Sequence, residues 1–324
     1  MNSRVLAVPR SSTLPLLHPM TSLVMLFLLS ACRGGTQDTV AGDATTAPSI
    51  CAPTTPVSQS NPTAGLIGIP RGTTQLGSTD FGPEEAPIRE VTVEPFQMDA
   101  TEVTNSQFAA FVAATGYVTV AERLGGGAVF TLPDNPPDMR DISQWWRIDP
   151  EATWRTPGGR GTTALSHHPV VQVTLEDAKA YAKWAGRDLP TEAEWEHAAR
   201  GGIKGAKYTW GDEPQKSSSA ANHWQGSFPI SDRGDDGFIG TAPVGCFPEN
   251  GYGLHDMAGN VWELTTSIWD RKGSAPGSSV IKGGSWLCAD NYCMRYRPAA
   301  RQPADPQMPT NHIGFRTVRR QQGS

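Results

Sequence analysis

Three stretches of this sequence carry helix signals at both ends, and all three are short. "TNSQFAAFVAATG" (104–116) opens on Thr104, a capping residue. It sets Phe108, Phe111 and Val112 on one face and stops at Gly116. "TLEDAKAYAKWAG" (174–186) holds Thr174 and Asp177 at capping-box spacing, aligns Tyr181, Trp184 and Ala185, and ends at Gly186. "TEAEWEHAARGG" (191–202) repeats the device with Thr191 and Glu194. Elsewhere "GLIGIPRGTTQLGS" and "IREVTVEPFQMDATEVT" are strand-like runs broken by Gly and Pro. With 34 glycines and 27 prolines, the rest favours turns over regular elements. No repeat period marks a solenoid or propeller. The expectation is one compact domain over residues 63–322, with few helices, short strands and long loops that need pinning. Bound calcium is one way to pin them.

The beginning of the chain reads differently. Arg4 and Arg10 precede the apolar "SLVMLFLLSA", too short to span a bilayer and ending at Cys32. Residues 1–32 therefore read as a signal peptide, and "LSAC" (29–32) resembles a bacterial lipobox that would leave a lipidated Cys32. An ordinary signal peptide, or a true start at Met20, is the alternative. Residues 33–62, rich in Thr, Ser, Ala and Pro, read as a flexible tether in which Cys51 is free or incidental. The expected protein is exported, held to the cell envelope only through its lipid, and monomeric. A net charge of -5 without a basic run argues against a nucleic-acid partner.

Two regions carry candidate chemistry. "NHWQGSFPISDRGDDGFIGTAPVG" (222–245) and "GYGLHDMAGNVWELTT" (251–266) mix side-chain oxygens with glycine, as hard cations prefer. Solvated turns share that composition, and neither stretch is an EF-hand. In "GGSWLCADNYCMRYRPAAR" (283–301), Cys288 and Cys293 stand five positions apart, an offset that sends their side chains to different faces of a strand or helix. Their sulfurs meet only if "CADNYC" bends, and Ala-Asp-Asn is turn-compatible. A meeting pair is either a disulfide, the reading the residues alone favour in an exported protein, or a holder of a soft ion. Zinc lacks its remaining ligands nearby, whereas Cu(I) accepts thiolates readily. Arg295, Arg297 and Arg301 follow, with structural ion pairing as their plainest role.

"PTEAEWEHAARGG", "NGYGLHDMAGNVWEL", "GGSWLCADNYCMRYRPAAR" and the closing "GFR", in this order, resemble the formylglycine-generating enzyme (sulfatase-modifying factor) family. The resemblance implies an α+β fold: a single irregular domain, related to C-type-lectin-like folds, low in regular secondary structure and stabilised by calcium. It implies a Cu(I)-dependent oxidase that uses O2 and a thiol reductant. Its substrate would be a Cys-x-Pro-x-Arg cysteine of an unfolded sulfatase, converted to Cα-formylglycine. Carried over, Cys288 and Cys293 hold copper, and Ser285 and Trp262 shape the oxygen pocket. One calcium would take Asn222, the His223 carbonyl, Asp236 and the Phe238 carbonyl. A second would take Asp256, the Gly259 and Val261 carbonyls, and Glu263. Departures are Pro298 and Ala199, where some members carry disulfide cysteines, and His312 in place of an expected asparagine. The glycine-rich "ERLGGGAVF" (122–130) replaces polar groove residues. Cys246 has no counterpart and reads as a small buried residue. A non-catalytic envelope lipoprotein on the same fold is the competing reading. A sulfoxide synthase is disfavoured because its helical, histidine-rich iron domain is missing.

Overall fold

The computed structural model describes residues 51, 61, 63–133 and 135–320. The signal peptide, the lipobox cysteine and most of the tether lie outside the described residues. The helix signals act as the spacing predicts. Thr104 Oγ1 accepts from Gln107 N at 3.2 Å and Gln107 Oε1 accepts from Thr104 N at 2.8 Å, closing the box on helix Asn105–Thr115. Gly116 ends that helix in the left-handed conformation, φ 67°. Asp177 Oδ2 accepts from Thr174 N at 2.8 Å at the head of Leu175–Trp184, and Glu194 Oε2 accepts from Thr191 N at 2.7 Å at the head of Glu192–Ala199. A fourth box, Thr119 with Glu122, starts the short helix Val120–Leu124, which the glycine-rich reading of 122–130 passed over.

Helices Asn105–Thr115 and Leu175–Trp184 wall one aromatic core, while Glu192–Ala199 packs Trp195, Ala198 and Ala199 into a second cluster. Phe108, Phe111 and Tyr181 are buried, with Phe108 stacked on Tyr181 at 6.0 Å and Phe315 edge-on to Tyr181 at 5.4 Å. Fully burying side chains of this size gives about 1.5–3 kcal/mol each, which a short helix lacks on its own.

Strands are as short as their broken sequence implies. Leu66–Ile69 and Val318–Arg320 flank Phe96–Asp99 in an antiparallel three-stranded sheet, so residues near both ends of the domain meet. A second sheet runs Arg301–Ala304, Ser279–Lys282, Trp262–Ile268, Ile313–Gly314. Its first three neighbours pair antiparallel, and Ile313–Gly314 joins Trp262 and Glu263 in parallel. The two-cysteine segment is the connection between the neighbouring strands Ser279–Lys282 and Arg301–Ala304, anchored at both ends by one ladder.

Buried ion pairs hold the irregular remainder. Glu263 takes Arg316 bidentately at 2.7 Å on both oxygens, Lys282 reaches Glu196 at 2.9 Å, and Arg187 pairs with Asp99. Each joins segments remote in sequence, so these pairs do the pinning that long loops require. One reading is corrected here. Cys51 is neither free nor incidental and Cys246 is not merely a small buried residue, because the two form a disulfide across 195 positions. A loop that long offers no local signal for its closure. No helix among the described residues is long and apolar enough to cross a membrane.

Candidate active site and cation sites

The cysteine segment leaves its strand through two left-handed glycines, Gly283 at φ 92° and Gly284 at φ 76°. A Cβ on Gly284 would stand 2.7 Å from both Arg295 O and Tyr296 N, and one on Gly283 would stand 2.9 Å from the Trp195 ring. The glycine pair therefore lets the outgoing and returning chain touch. Cys288 N then donates to Ser285 O at 2.9 Å, and Ser285 Oγ accepts from Leu287 N at 3.3 Å.

The bend that the spacing demands is present. Ala289 O accepts from Tyr292 N (3.1 Å), Cys293 N (3.0 Å) and Met294 N (3.0 Å), folding residues 289–294 onto one carbonyl. Met294 turns the chain at φ 41°, and Arg297 Nε donates to Met294 O at 2.7 Å. Cys288 is buried and Cys293 half-buried. Both are free of disulfide, and their thiols hydrogen-bond to each other. Burial, then the hydrogen bond with Cys293, pushes the Cys288 thiol well up. Cys293 is held below the usual thiol range, first by that hydrogen bond and then by Arg295. The two thiols are thus made unequal, with Cys293 the more acidic of the pair. Two sulfurs without a bridge fit a soft monovalent ion.

Trp262 opens the neighbouring strand, is 2% exposed and shares a core cluster with Cys288, against which Cys293 packs. Ser285 is fully buried on the same turn. Trp262, Cys288 and Cys293 thus belong to one cluster, and Ser285 stands three positions before Cys288 on the same turn. Tyr292 stacks on Phe228 at 4.4 Å and meets Trp145 edge-on at 6.2 Å, giving an aromatic flank beside Cys293. The three arginines are structural, as their plainest role suggested: Arg295 pairs with Glu84 at 2.9 Å, Arg297 with both oxygens of Glu85 at 2.9 and 2.6 Å, and Arg301 with Glu192 at 3.1 Å.

Within the first calcium set, Asp236 contacts the backbone of two of the other residues through their N–H groups. Asp236 Oδ2 accepts from His223 N and Asp236 Oδ1 from Phe238 N, each at 3.0 Å, while Asn222 Nδ2 donates to Gly240 O at 2.9 Å. In the second set both Glu263 oxygens are already engaged by Arg316, and Trp195 Nε1 donates to Oε2 at 2.7 Å. Asp256 instead faces Glu102, a residue the sequence did not single out. Burial and then the Asp256 charge push Glu102 well up, and Asp256 is raised by burial. Glu102 Oε2 has no partner among the described residues. Three buried carboxylates around the single Arg316 form an acid-rich cluster that a cation would relieve. No cluster of three or more His, Cys, Asp or Glu side chains with metal-ligating geometry occurs among the described residues, and both sets lean on backbone carbonyls. Asn260, also unforeseen, bridges them: Oδ1 accepts from Asn222 at 3.1 Å and Nδ2 donates to Glu102 at 3.1 Å. His312 packs against Trp146 at 5.0 Å, and its Nδ1 lies 2.9 Å from Thr310 Oγ1.

The sulfatase-modifying factor enzyme 1-like domain model matches residues 52–321. The formylglycine-generating enzyme of Mycobacterium tuberculosis is 48% identical over 290 residues, covering 78% of this chain and 97% of that protein. That of Thermomonospora curvata is 47% identical, covering 78% and 92%. The bovine inactive Cα-formylglycine-generating enzyme 2 is also similar, at 40% identity over 78% of this chain and 87% of its own. Among solved structures, PvdO from Pseudomonas aeruginosa shares the fold at a TM-score of 0.59 and 25% identity, over 83% of this chain and 98% of its own. Identity of this depth, running through nearly the whole length of the bacterial relatives, makes this chain a member of the sulfatase-modifying factor, or formylglycine-generating enzyme, family.

Proposed function

We propose that this protein is a copper-dependent oxidase that converts a cysteine of a sulfatase polypeptide, within a Cys-x-Pro-x-Arg stretch, to Cα-formylglycine. One observation carries the reading. The chain forms a disulfide between Cys51 and Cys246, yet Cys288 and Cys293, with thiols in hydrogen-bond contact, stay unbridged.

Cys288 and Cys293 would hold Cu(I), which would supply a soft centre for chemistry between a substrate thiolate and O2. The chain's own groups do the rest. Cys293, half-buried, faces the incoming thiol, and Cys288 stays enclosed. Ser285 and Trp262 close the buried side and keep bulk water out. The stacked Tyr292 and Phe228 rings, next to Cys293 in the fold, would offer the incoming peptide an apolar wall. In the overall reaction the cysteine β-carbon becomes an aldehyde and sulfur leaves as hydrogen sulfide. Dioxygen gives one oxygen to the aldehyde and one to water, and an external thiol supplies two electrons and two protons.

Calcium at the Asn222–Phe238 set and at the Asp256–Glu102 cluster would hold the loops beside this centre. Export fits the Cys51–Cys246 disulfide, because such bonds persist in oxidising compartments. A lipid on Cys32 would tether the enzyme there, with O2, a thiol reductant and the unfolded sulfatase as its partners, acting as a monomer. The similarity to an inactive relative favours one second reading, a non-catalytic module of the envelope.

Aerobic incubation with Cu(I), a thiol reductant and a Cys-x-Pro-x-Arg peptide decides between them. An aldehyde product by mass spectrometry, absent in Cys288→Ser and Cys293→Ser, supports the oxidase. No product, with the pair isolated as a disulfide and no copper retained, supports the module. Calcium is tested separately: a chelator should lower the melting temperature of the wild type, and Asp236→Asn should blunt that shift.

A further inference from the structure

A run of stacked rings leads away from the cysteines toward solvent. Tyr296 belongs to the same buried cluster as Cys288 and lies three positions beyond Cys293 in the chain. The Tyr296 ring stacks on Tyr208 at 5.9 Å and 17°, and Tyr208 stacks on Trp210 at 4.8 Å and 5°. Tyr296 and Tyr208 are 2 and 3% exposed, whereas Trp210 is half-buried and reaches the surface. The Tyr296 hydroxyl donates to Asp290 Oδ1, and Trp210 Nε1 donates to Glu213 O at 3.0 Å.

Much of the molecule's aromatic packing is edge-on or tilted, as around Phe108 and Phe130. Here four rings lie nearly parallel: His223 covers the far face of the stack at 4.2 Å and 17° from Tyr296, and the other three belong to the side chains most readily oxidised by one electron. Packing alone would be served as well by phenylalanine. The reaction also sets a need. A substrate peptide seated at the half-buried Cys293 covers the short way in, yet each turnover draws two electrons from outside.

We infer that Trp210, Tyr208 and Tyr296 form an electron relay from a thiol reductant at the surface to the cysteine-held centre, an inference that rests on the oxidase reading above. Tyr296 gives one electron inward and passes its phenolic proton to Asp290. Tyr208 and then Trp210 refill the vacancy, the proton returns to Tyr296, and a thiolate at Trp210 is oxidised. Two such thiolates couple to a disulfide, which accounts for both electrons.

The test begins with the metal-free full chain and a flash-generated ruthenium(III) polypyridyl oxidant in solution. In the wild type, the tryptophanyl radical should decay into a tyrosyl radical, followed by oxidation of Cys288. Tyr208→Phe keeps the ring but breaks the relay, so the tyrosyl signal and the cysteine oxidation should be lost. Trp210→Phe at the half-buried end serves as the second variant if Tyr208→Phe folds poorly. In the copper-loaded enzyme, Tyr208→Phe should slow thiol-driven multiple turnover and spare single turnover of the pre-reduced protein. Equal radical transfer in wild type and both variants overturns the relay, whatever the activity. Absence of aldehyde product from the wild type overturns the oxidase reading instead, and the flash experiment still judges the relay.

Discussion

Replacing Glu85 by glutamine keeps the shape of the side chain and removes only its charge. Glu85 holds Arg297 through two hydrogen bonds at 2.9 and 2.6 Å, and both side chains are enclosed, at 1 and 2% exposure. The guanidinium also stands 3.4 Å over the Phe81 ring and donates to Met294 O. Stripping the charge from one partner of an enclosed pair leaves the other uncompensated, a loss of about 3–5 kcal/mol. For a domain of this size about 2–4 °C of melting temperature goes with each kcal/mol, so Glu85→Gln should lower it by roughly 10 °C. Glu84→Gln, beside it, is the control. Its partner Arg295 is 29% exposed, and solvent screening should hold that loss to about 1 kcal/mol or less. Because Arg297 fixes the Met294 carbonyl immediately after Cys293, Glu85→Gln should also raise the reactivity of Cys288 toward a thiol reagent. Glu85→Leu with Arg297→Met should recover most of the stability, since the charge is then gone from both sides. Thermal melts and thiol titration measure all of this. Equal melting shifts for Glu85→Gln and Glu84→Gln would refute the burial argument.

Gly284→Ala combines a left-handed backbone with a Cβ 2.7 Å from the returning chain, and should cost about 3 kcal/mol or more. A melt within about 1 kcal/mol of wild type would show that the loop relaxes instead. Burial pushes the His312 imidazole down to about 3 from its ordinary 6.5. Below that ordinary value the unfolded chain takes up a proton that the folded chain refuses. Stability therefore falls as pH drops, by up to about 1.4 kcal/mol per unit. His312→Asn should flatten the decline in melting temperature between about pH 6.5 and 4.5, and an unchanged slope counts against it. Opening the Cys51–Cys246 bond releases a loop of 195 positions, worth about 5 kcal/mol in the entropic limit and commonly about 2–4 in practice. A reductant should lower the melting temperature of the wild type but not of Cys246→Ser, and equal sensitivity would exclude the bond.

Much of this protein was legible where the governing interaction is short-range. A capping box joins residues three apart, so the heads of the helices beginning at Asn105, Leu175 and Glu192 could be read directly. The five-residue spacing of Cys288 and Cys293 demanded a bend, and Ala289 O supplies it within the same segment. The glycine pair at 283 and 284 was visible in the sequence, but its purpose was not. The sequence did not say what approaches, namely the backbone of Arg295 and Tyr296.

Partners across long distances were decided only by the tertiary structure. Arg297 finds Glu85 212 positions away, and Arg316 reaches Glu263 across 53. Glu102 faces Asp256, and Cys51 closes on Cys246. Charges and thiols in loops carry no periodicity that names a partner. In a chain so poor in regular elements, which loops cross is settled by the collapse of the whole aromatic core. The sequence by itself determined the turns, the caps and a pair of cysteines brought within reach of each other. The fold decided that this pair stays open, that the other pair closes, and which carboxylates hold the arginines behind it.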